Sequence, residues 1–241
     1  KDAELIKKNP LLRNIKVFHG ETGLKEIGRK KTADILVAAT TDVNSLVPTL
    51  EFLKSGKRVC IASKEIFLLL GNQILKIAKK YSGEILPIDS EHSGVFQIIN
   101  NEEKSNIKAI YLTASGGPFY GKKFNELSEV SPEEALKHPT WSMGKKISID
   151  SATMMNKAIE IIEASLMFDI PHNKIFPIIN KKSHIHSIVE LVDGNVIFSG
   201  SENDMKIPIA YSLSYPKRIK NKKKNFINYK NIELIKINEK N

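Results

Sequence analysis

The sequence predicts an α/β fold in which a doubly wound parallel sheet is followed by an α+β part. In the first 88 residues, buried strand patterns alternate with helical patterns, the order typical of parallel sheets. Near the other end, Asp193-Gly194 is a hairpin turn signal between two strand patterns. The 241 residues, 41% of them hydrophobic, suffice for one large domain or two ordinary ones. We expect domains at residues 1–88 and 89–214, followed by a basic linker at 215–241.

Apolar runs and helical patterns alternate through the first part. The predicted elements are strands at 15–18, 34–40, 59–62 and 85–88 and helices at 46–54 and 65–81. An unbroken apolar run such as 34–40 is typical of a strand buried on both faces. In doubly wound sheets ligands bind at the carboxyl ends of strands. That rule points to Thr40–Thr41, to Ser63–Glu65 and to Asp89–Glu91.

The second part mixes strands, helices and polar loops. Its predicted elements are strands at 107–113, 175–179, 186–192 and 196–198 and a helix at 207–213. The first of these strands runs into Ala114–Pro118, whose two glycines allow a ligand close to the backbone. Ser131–Glu134 is a capping box that starts a short helix. Thr140–Lys145, a polar loop with the only tryptophan, is typical of a lid.

Charge and cysteine content exclude several classes of protein. The net charge is +10, but residues 216–241 hold nine basic and two acidic residues, so the rest carries only +3. Such a tail is more often a solvated linker than a nucleic-acid-binding segment. The one cysteine, Cys60, excludes an internal disulfide framework and is predicted to be a buried thiol. No apolar stretch approaches the roughly 18 to 20 residues of a membrane span.

The stretch Ile147–Ile162 carries the strongest helical pattern with polar residues on it. We expect one helix capped by Asp150 or Ser151, on which Asn156 and Glu160 share a face. Hydroxyls, an amide and an ammonium in the first turn suit a phosphate, because the free N–H groups and the dipole favour an anion. The alternative is an amphipathic core helix whose polar face is only solvated.

Three carboxylates form a candidate metal site. If Asp89-Ser90-Glu91 is extended, both carboxylates point to one side, and Glu160 adds a third. An all-oxygen set suits Mg²⁺ or Mn²⁺ rather than zinc. Asp-x-Glu alone also occurs on many surfaces. Lys64 follows a predicted strand and could neutralise an anionic substrate, or it is an ordinary exposed lysine.

Taken together, these residues resemble the 1-deoxy-D-xylulose 5-phosphate reductoisomerase family, NADPH- and metal-dependent enzymes of the non-mevalonate isoprenoid pathway. The resemblance runs from about Asp34 to Arg218, and the run from His138 to Glu163 is highly specific to it. The motifs that carry it are Pro87–Ser93, Thr113–Phe119, His138–Glu163, Ile185–Ser187 and Pro208–Ala210.

The resemblance implies a Rossmann-like NADPH domain, a catalytic domain with a lid loop, and a role for each matching residue. The implied metal ligands, for Mg²⁺ or Mn²⁺ with Co²⁺ as a further candidate, are Asp89, Glu91 and Glu160. The implied contacts of the sugar phosphate substrate are Ser90, Ser115, His138, Trp141, Ser151, Asn156, Lys157 and Glu160. The implied catalytic groups are Lys64, Glu91, His138 and His186. The implied NADPH contacts are Ala39, Ser63, Lys64, Glu65, Met143, Gly144 and Met205.

The resemblance also implies segments outside this chain and a homodimer. We expect a first βαβ unit with its glycine-rich loop before the chain, and a helical domain after it. Ser63 stands where the family usually has asparagine, which puts one cofactor contact in question. The expected dimer contact is the hairpin around His186 to Phe198. The expected location is cytoplasmic in a bacterium and a plastid-type organelle in a eukaryote, with no membrane or nucleic-acid partner.

Two rival functions follow from the same residues. A metal-dependent lyase or phosphatase would use the carboxylates without a nicotinamide, and NADPH binding distinguishes it. A nucleic-acid-binding module would use the basic tail, and its binding would fall steeply with salt. Few aromatic residues are interleaved with that charge, so the sequence favours the reductoisomerase over this module.

Overall fold

The structure is a computed structural model that describes residues 6–12, 14–141, 143–220 and 235–236. It divides into two compact units, Lys1–Leu86 and Pro87–Asn241. Within the described residues, no helix is both long and apolar enough to cross a membrane.

The first unit is built on a three-stranded sheet. Its strands are β1 (Ile35–Ala38), β2 (Arg58–Ile61) and β3 (Glu84–Pro87), in the spatial order β1-β2-β3, with β1 and β2 parallel. Its helices are α1 (Gly20–Gly28), α2 (Leu46–Leu53) and α3 (Glu65–Tyr81). Phe52, Val59, Ile61 and Ile74 are fully buried between sheet and helices. The alternation of apolar runs and helical patterns therefore predicted β1, β2, β3, α2 and α3 of this unit, whereas α1 was not predicted.

The second unit is built on a mixed sheet of spatial order β7-β6-β4-β5-β8. Its strands are β4 (Ile107–Ala114), β5 (Ile175–Ile179), β6 (Ile185–Leu191), β7 (Val196–Gly200) and β8 (Ile235–Lys236). β5 runs parallel to β4, whereas β6 is antiparallel to both β4 and β7. The predicted hairpin at Asp193-Gly194 is confirmed, since it joins β6 to β7.

Two helices pack beside each other over this sheet and enclose its core. They are α4 (Ser90–Ile99) and α7 (Met155–Phe168). Val95 of α4 and Ala164 of α7 meet Ile110 and Val189 in one buried cluster. Gly94 allows the close approach of α4, because a Cβ there would lie 2.4 Å from the Ser187 hydroxyl oxygen on β6. The remaining helices are α5 (Pro132–Ala135), α6 (Lys145–Ala152) and α8 (Lys206–Ser214).

Three local predictions are wrong. The described part of residues 15–18 forms no strand. Residues 90 and 91 are not extended but begin α4, because the chain turns into a helix directly after β3. The single helix predicted over 147–162 is two helices, α6 and α7, separated at Thr153–Met154. Asp150 and Ser151 consequently lie inside α6 and cap neither helix. The remaining element predictions hold to within one or two residues.

Candidate functional site

Three carboxylates from separate elements of the second unit converge. Asp89 precedes α4, Glu91 lies in its first turn, and Glu160 lies on α7. One oxygen from each lies within 4.8 Å of the others, and Glu160 is 1% exposed. A buried cluster of carboxylates costs free energy unless a cation compensates its charge. The all-oxygen set and its spacing fit a hard divalent cation such as Mg²⁺.

The Lys157 side chain lies within this cluster. Its ammonium contacts Glu91 Oε1 at 2.7 Å and Glu160 Oε2 at 2.5 Å. Asn156 donates to the other oxygen of Glu160, as their spacing on one helix face predicts. Burial and the neighbouring Glu160 charge raise the pKa of Glu91 to about 7, although Lys157 opposes this rise. We call Asp89, Glu91, Glu160 and Lys157 the carboxylate centre.

A buried histidine and a fourth carboxylate lie behind the carboxylate centre. His92 is fully buried, with Nε2 3.0 Å from the Glu160 carbonyl oxygen and 3.5 Å from Glu163 Oε2. Its Nδ1 lies 3.8 Å from Asp89 Oδ1. Burial opposes charge on the imidazole, but the carboxylates of Glu163 and Asp89 outweigh it and raise the pKa of His92 to about 9. The oxygen atoms near both ring nitrogens therefore favour the protonated form of His92.

The turn after β4 brings a serine to the junction of α6 and α7. Ser115 is followed by Gly117, which has a φ of +70°. A Cβ at Gly117 would lie 2.9 Å from the carbonyl oxygen of Ser151, so only glycine lets the turn approach the end of α6. Between the helices Met154 adopts φ +60°, an unusual conformation for a residue with a long side chain. Asn156 and Lys157 follow directly in the first turn of α7.

His138 contacts the same turn. Its Nε2 lies 3.0 Å from the Ser115 hydroxyl oxygen, and its Nδ1 accepts hydrogen bonds from the N–H groups of Thr140 and Trp141. Burial lowers the pKa of His138, so the ring is neutral at pH 7. The hydroxyl of Ser115 also accepts the N–H of Gly117 at 3.2 Å. We call Ser115, Gly117 and His138 the serine–histidine seat.

Other predicted residues of the second unit lie on defined elements. His186 is buried on β6, bonds the Ser201 hydroxyl at 2.8 Å, and has its pKa lowered to about 4, chiefly by burial. Ser90 donates to Glu91 Oε2 at 2.6 Å. Gly144 immediately precedes α6 and Met205 precedes α8, while Met143 and Trp141 are partly exposed in the loop before α6.

The predicted residues of the first unit gather at strand ends. Ala39 is exposed directly after β1, and Ser63 and Lys64 are buried between β2 and α3, which begins at Glu65. The Ser63 hydroxyl donates to the Thr40 carbonyl at 2.6 Å and thereby ties the ends of β1 and β2 together. This position, at the carboxyl ends of two parallel strands, is where nucleotides bind in such sheets.

Family models match both units. The model described as 1-deoxy-D-xylulose 5-phosphate reductoisomerase matches residues 1–71, and the model of that enzyme's C-terminal domain matches residues 85–168. A reductoisomerase of Endomicrobium trichonymphae is 44% identical over 240 residues, which are 99% of this chain and 60% of that protein. The chain belongs to the 1-deoxy-D-xylulose 5-phosphate reductoisomerase family. This result confirms the family inferred from the sequence motifs.

Further relatives agree in sequence and in structure. The enzyme of Thermodesulfovibrio yellowstonii is 47% identical over 86% of this chain and 55% of its own length. A crystal structure of DOX-P reductoisomerase in complex with NADPH, fosmidomycin and magnesium superposes with a TM-score of 0.83 at 41% identity, covering 90% of this chain and 56% of that one. The Zymomonas mobilis enzyme in complex with NADPH has a TM-score of 0.83 at 34% identity, covering 91% and 57%. The chain spans about half the length of the curated relatives it matches.

Two residues of the site were not predicted from the sequence. His92 and Glu163 form the buried layer behind the carboxylate centre, and no sequence motif assigned either of them a role. The usable signal was spacing, since Glu163 follows Glu160 by three residues and His92 follows Asp89 by three, and such neighbours share a helix face. A charged residue repeated on a face that must be apolar indicates a buried ionic cluster.

Proposed function

We propose that the protein converts 1-deoxy-D-xylulose 5-phosphate into 2-C-methyl-D-erythritol 4-phosphate, by an isomerisation followed by a reduction with NADPH. The observation that carries this proposal is the convergence of Asp89, Glu91 and Glu160, each of which brings one carboxylate oxygen within 4.8 Å of the others. An anion site at the α6–α7 junction and a cation site at the carboxylate centre would together suit a phosphorylated substrate with chelating oxygens. Family membership supports the same reaction.

The carboxylate centre is proposed to hold Mg²⁺ or Mn²⁺, with Co²⁺ as a further candidate. When bound, such a cation polarises the carbonyl and hydroxyl oxygens of the substrate. Asp89, Glu91 and Glu160 would be its ligands, and His92 supports them by contacting the backbone carbonyl of Glu160. Glu91 is also proposed to assist catalysis, because it lies in the carboxylate centre beside the Lys157 ammonium.

The substrate phosphate is proposed to bind at the α6–α7 junction. The proposed contacts are Ser115, Ser151, Asn156 and Lys157, with His138 nearby. The phosphate lies at a distance from the reacting carbons. Its binding would supply free energy that positions those carbons and closes the loop containing Trp141. Ser90, Glu160 and Lys64 are proposed to contact the carbon backbone, and Lys64 and His186 are proposed to assist catalysis.

NADPH is proposed to supply the hydride, which no side chain can provide. Ala39, with a small exposed side chain at the end of β1, leaves room for a nucleotide beside the backbone. The remaining proposed contacts are Ser63, Lys64 and Glu65 in the first unit and Met143, Gly144 and Met205 in the second. Residues 1–88 would then form part of the nucleotide domain and residues 89–214 the catalytic domain. Residues 215–241 were predicted to be a linker, but β8 (Ile235–Lys236) pairs with β5, so these two residues belong to the sheet of the second unit.

A homodimer is proposed through the hairpin of β6 and β7. β7 forms one edge of the described sheet and exposes Val196, Ile197 and Phe198, and Val192 in the turn is also exposed. An exposed apolar edge strand favours association with another chain. A second copy is the proposed partner. Beyond the substrate, the cofactors and this second copy, no partner is proposed, and the cytoplasm is the proposed location in a bacterium.

The deciding experiment follows NADPH absorbance with the complete gene product and 1-deoxy-D-xylulose 5-phosphate, with and without Mg²⁺. We expect consumption only when substrate and metal are both present. Consumption without metal would contradict the role of the carboxylate centre. No consumption by a protein shown to be folded would contradict the proposed reaction.

A further inference from the structure

The serine–histidine seat contains a histidine whose two ring nitrogens contact different parts of the second unit. His138 Nδ1 accepts from the N–H of Thr140 at 3.2 Å and of Trp141 at 2.9 Å. Both partners are donors only, so Nδ1 must be the unprotonated nitrogen. A neutral ring then carries its hydrogen on Nε2, which lies 3.0 Å from the Ser115 hydroxyl oxygen. The backbone of the loop thus fixes the tautomer of the ring.

This tautomer fixes the direction of the Ser115 hydroxyl hydrogen. The hydroxyl oxygen accepts from His138 Nε2–H and from the N–H of Gly117 at 3.2 Å. A hydroxyl has two acceptor positions and one hydrogen, so its single donor must point to a third partner. An anion at the α6–α7 junction would take that hydrogen. Orienting the donor in advance removes part of the entropic cost of binding.

The same ring closes the loop that holds the only tryptophan. The loop joins α5 to α6, two helices that contact each other. The acceptance of the N–H groups two and three residues ahead is the geometry of an Asx turn, in which an asparagine oxygen would stand where Nδ1 stands. Pro139 between them has a fixed φ, which limits the alternatives available to this turn.

We propose that His138 is a positioning residue that ties the Thr140–Trp141 loop to the Ser115 hydroxyl, with Nδ1 holding the loop and Nε2–H orienting the hydroxyl for an anion. The proposal rests on the phosphate site proposed above at the α6–α7 junction. It adds that one neutral side chain links that site to the lid loop. The two functions belong to different nitrogens, so they can be separated by substitution.

The test uses two substitutions, because asparagine reproduces Nδ1 and glutamine reproduces Nε2. In His138→Asn the loop keeps its acceptor and Ser115 loses its donor. In His138→Gln the reverse holds. The loop is measured by acrylamide quenching of Trp141, the only tryptophan of the chain, so its emission reports on the loop alone. Anion binding is measured with inorganic phosphate by calorimetry, and exposed His172→Gln is the control.

A crossed pattern is expected. His138→Gln should increase quenching several-fold and leave phosphate affinity within about twofold, whereas His138→Asn should leave quenching unchanged and weaken phosphate binding roughly fivefold. Equal losses in both variants, or no change in either, would overturn the proposal, because a histidine that only fills space would behave so. Absence of phosphate binding by the unsubstituted protein would overturn the proposed role of His138 in orienting the Ser115 hydroxyl, and with it the phosphate site proposed at the α6–α7 junction. Neither measurement uses NADPH, metal or turnover, so a failure of the proposed reaction can be distinguished from a failure of this proposal.

Discussion

The carboxylate centre and the serine–histidine seat belong to the same unit, yet they hold their polar groups by opposite means. In the carboxylate centre an ammonium pairs with carboxylates, since Lys157 contacts both Glu91 and Glu160, and His92 behind the centre has its pKa raised to about 9. In the seat the groups are neutral, since His138 has its pKa lowered by burial and bonds only hydroxyl and amide groups. The pKa values of two histidines in one unit are therefore shifted in opposite directions.

This difference indicates which kind of ligand each region is suited to bind. Several buried charges in one place are tolerated only if counter-charges compensate them, so the carboxylate centre is suited to bind a cation. A set of neutral donors with fixed directions needs no counter-charge and can accept an anion with little rearrangement. A substrate with chelating oxygens at one end and a phosphate at the other matches both regions.

Removal of the lysine should have the largest effect on the carboxylate centre. Lys157→Met leaves Glu91 and Glu160 without their shared ammonium, and we expect a loss of about 3 kcal/mol in the free energy of unfolding. Addition of Mn²⁺ should restore much of this loss. Urea unfolding with and without Mn²⁺ measures both effects. Lys146→Met is the control, because its pair with Asp150 is partly exposed and should contribute only about 0.5 kcal/mol.

A loss in Lys157→Met no larger than that of the control would mean that the carboxylates do not depend on this ammonium. The contrast between a charged and a neutral region would then fail at its strongest point.

Removal of one carboxylate should come next in size. Glu160→Gln keeps the shape of a side chain that is 1% exposed but withdraws an anionic ligand. We expect Mn²⁺ affinity to fall about 100-fold, or roughly 2.7 kcal/mol, with the fold intact. Electron paramagnetic resonance of free Mn²⁺ measures the affinity, and circular dichroism checks the fold. Undiminished affinity would refute Glu160 as a ligand, and exposed Glu133→Gln is the matched control.

The sequence predicted the two regions unequally. The carboxylates and the Ser115 turn were predicted because ligands gather where strands end and where glycines open a turn. The way in which the carboxylates meet was not predicted, because Asp89-Ser90-Glu91 at the end of a strand was expected to be extended. In the structure α4 begins at Ser90, and helix packing over the sheet, rather than strand alternation, brings Glu91 to Glu160.

The junction of α6 and α7 shows a different limit. The apolar pattern over Ile147–Ile162 has the helical period, so pattern alone predicts one helix. The break at Met154, with its φ of +60°, has no glycine or proline to mark it. Gly117 approaches the carbonyl of Ser151 so closely that a Cβ there would lie 2.9 Å from it, and an approach between residues so far apart in sequence gives no local signal.

The pH dependence of His92 distinguishes the two regions without any ligand. Its pKa is raised to about 9 in the folded protein, against about 6.5 in an unfolded chain. A raised pKa means that the stabilisation is fully present below pH 6.5 and is lost as the pH rises through 9. We expect this group to account for on the order of 2 kcal/mol of unfolding free energy. Denaturation from pH 6 to pH 10, compared between the protein and His92→Gln, measures it.

Nuclear magnetic resonance of the ring hydrogens gives an independent check. The His92 signal should titrate near 9 and the His138 signal below its usual range. Titration of both near 6.5 would remove the contrast between the regions.

The smallest expected effect tests whether the seat acts independently of the carboxylate centre. Ser115→Ala removes a hydroxyl whose two acceptor positions are already used, so it removes one donor toward an anion. A hydrogen bond to a charged group contributes about 1.5 kcal/mol or more, so phosphate affinity should fall about tenfold. Mn²⁺ affinity should not change, because Ser115 carries no charge. Calorimetry with each ion separately measures both affinities, with exposed Ser105→Ala as the control. Equal losses for phosphate and Mn²⁺ would mean that the two regions form one network, and the neutral seat would then depend on the charges of the carboxylate centre.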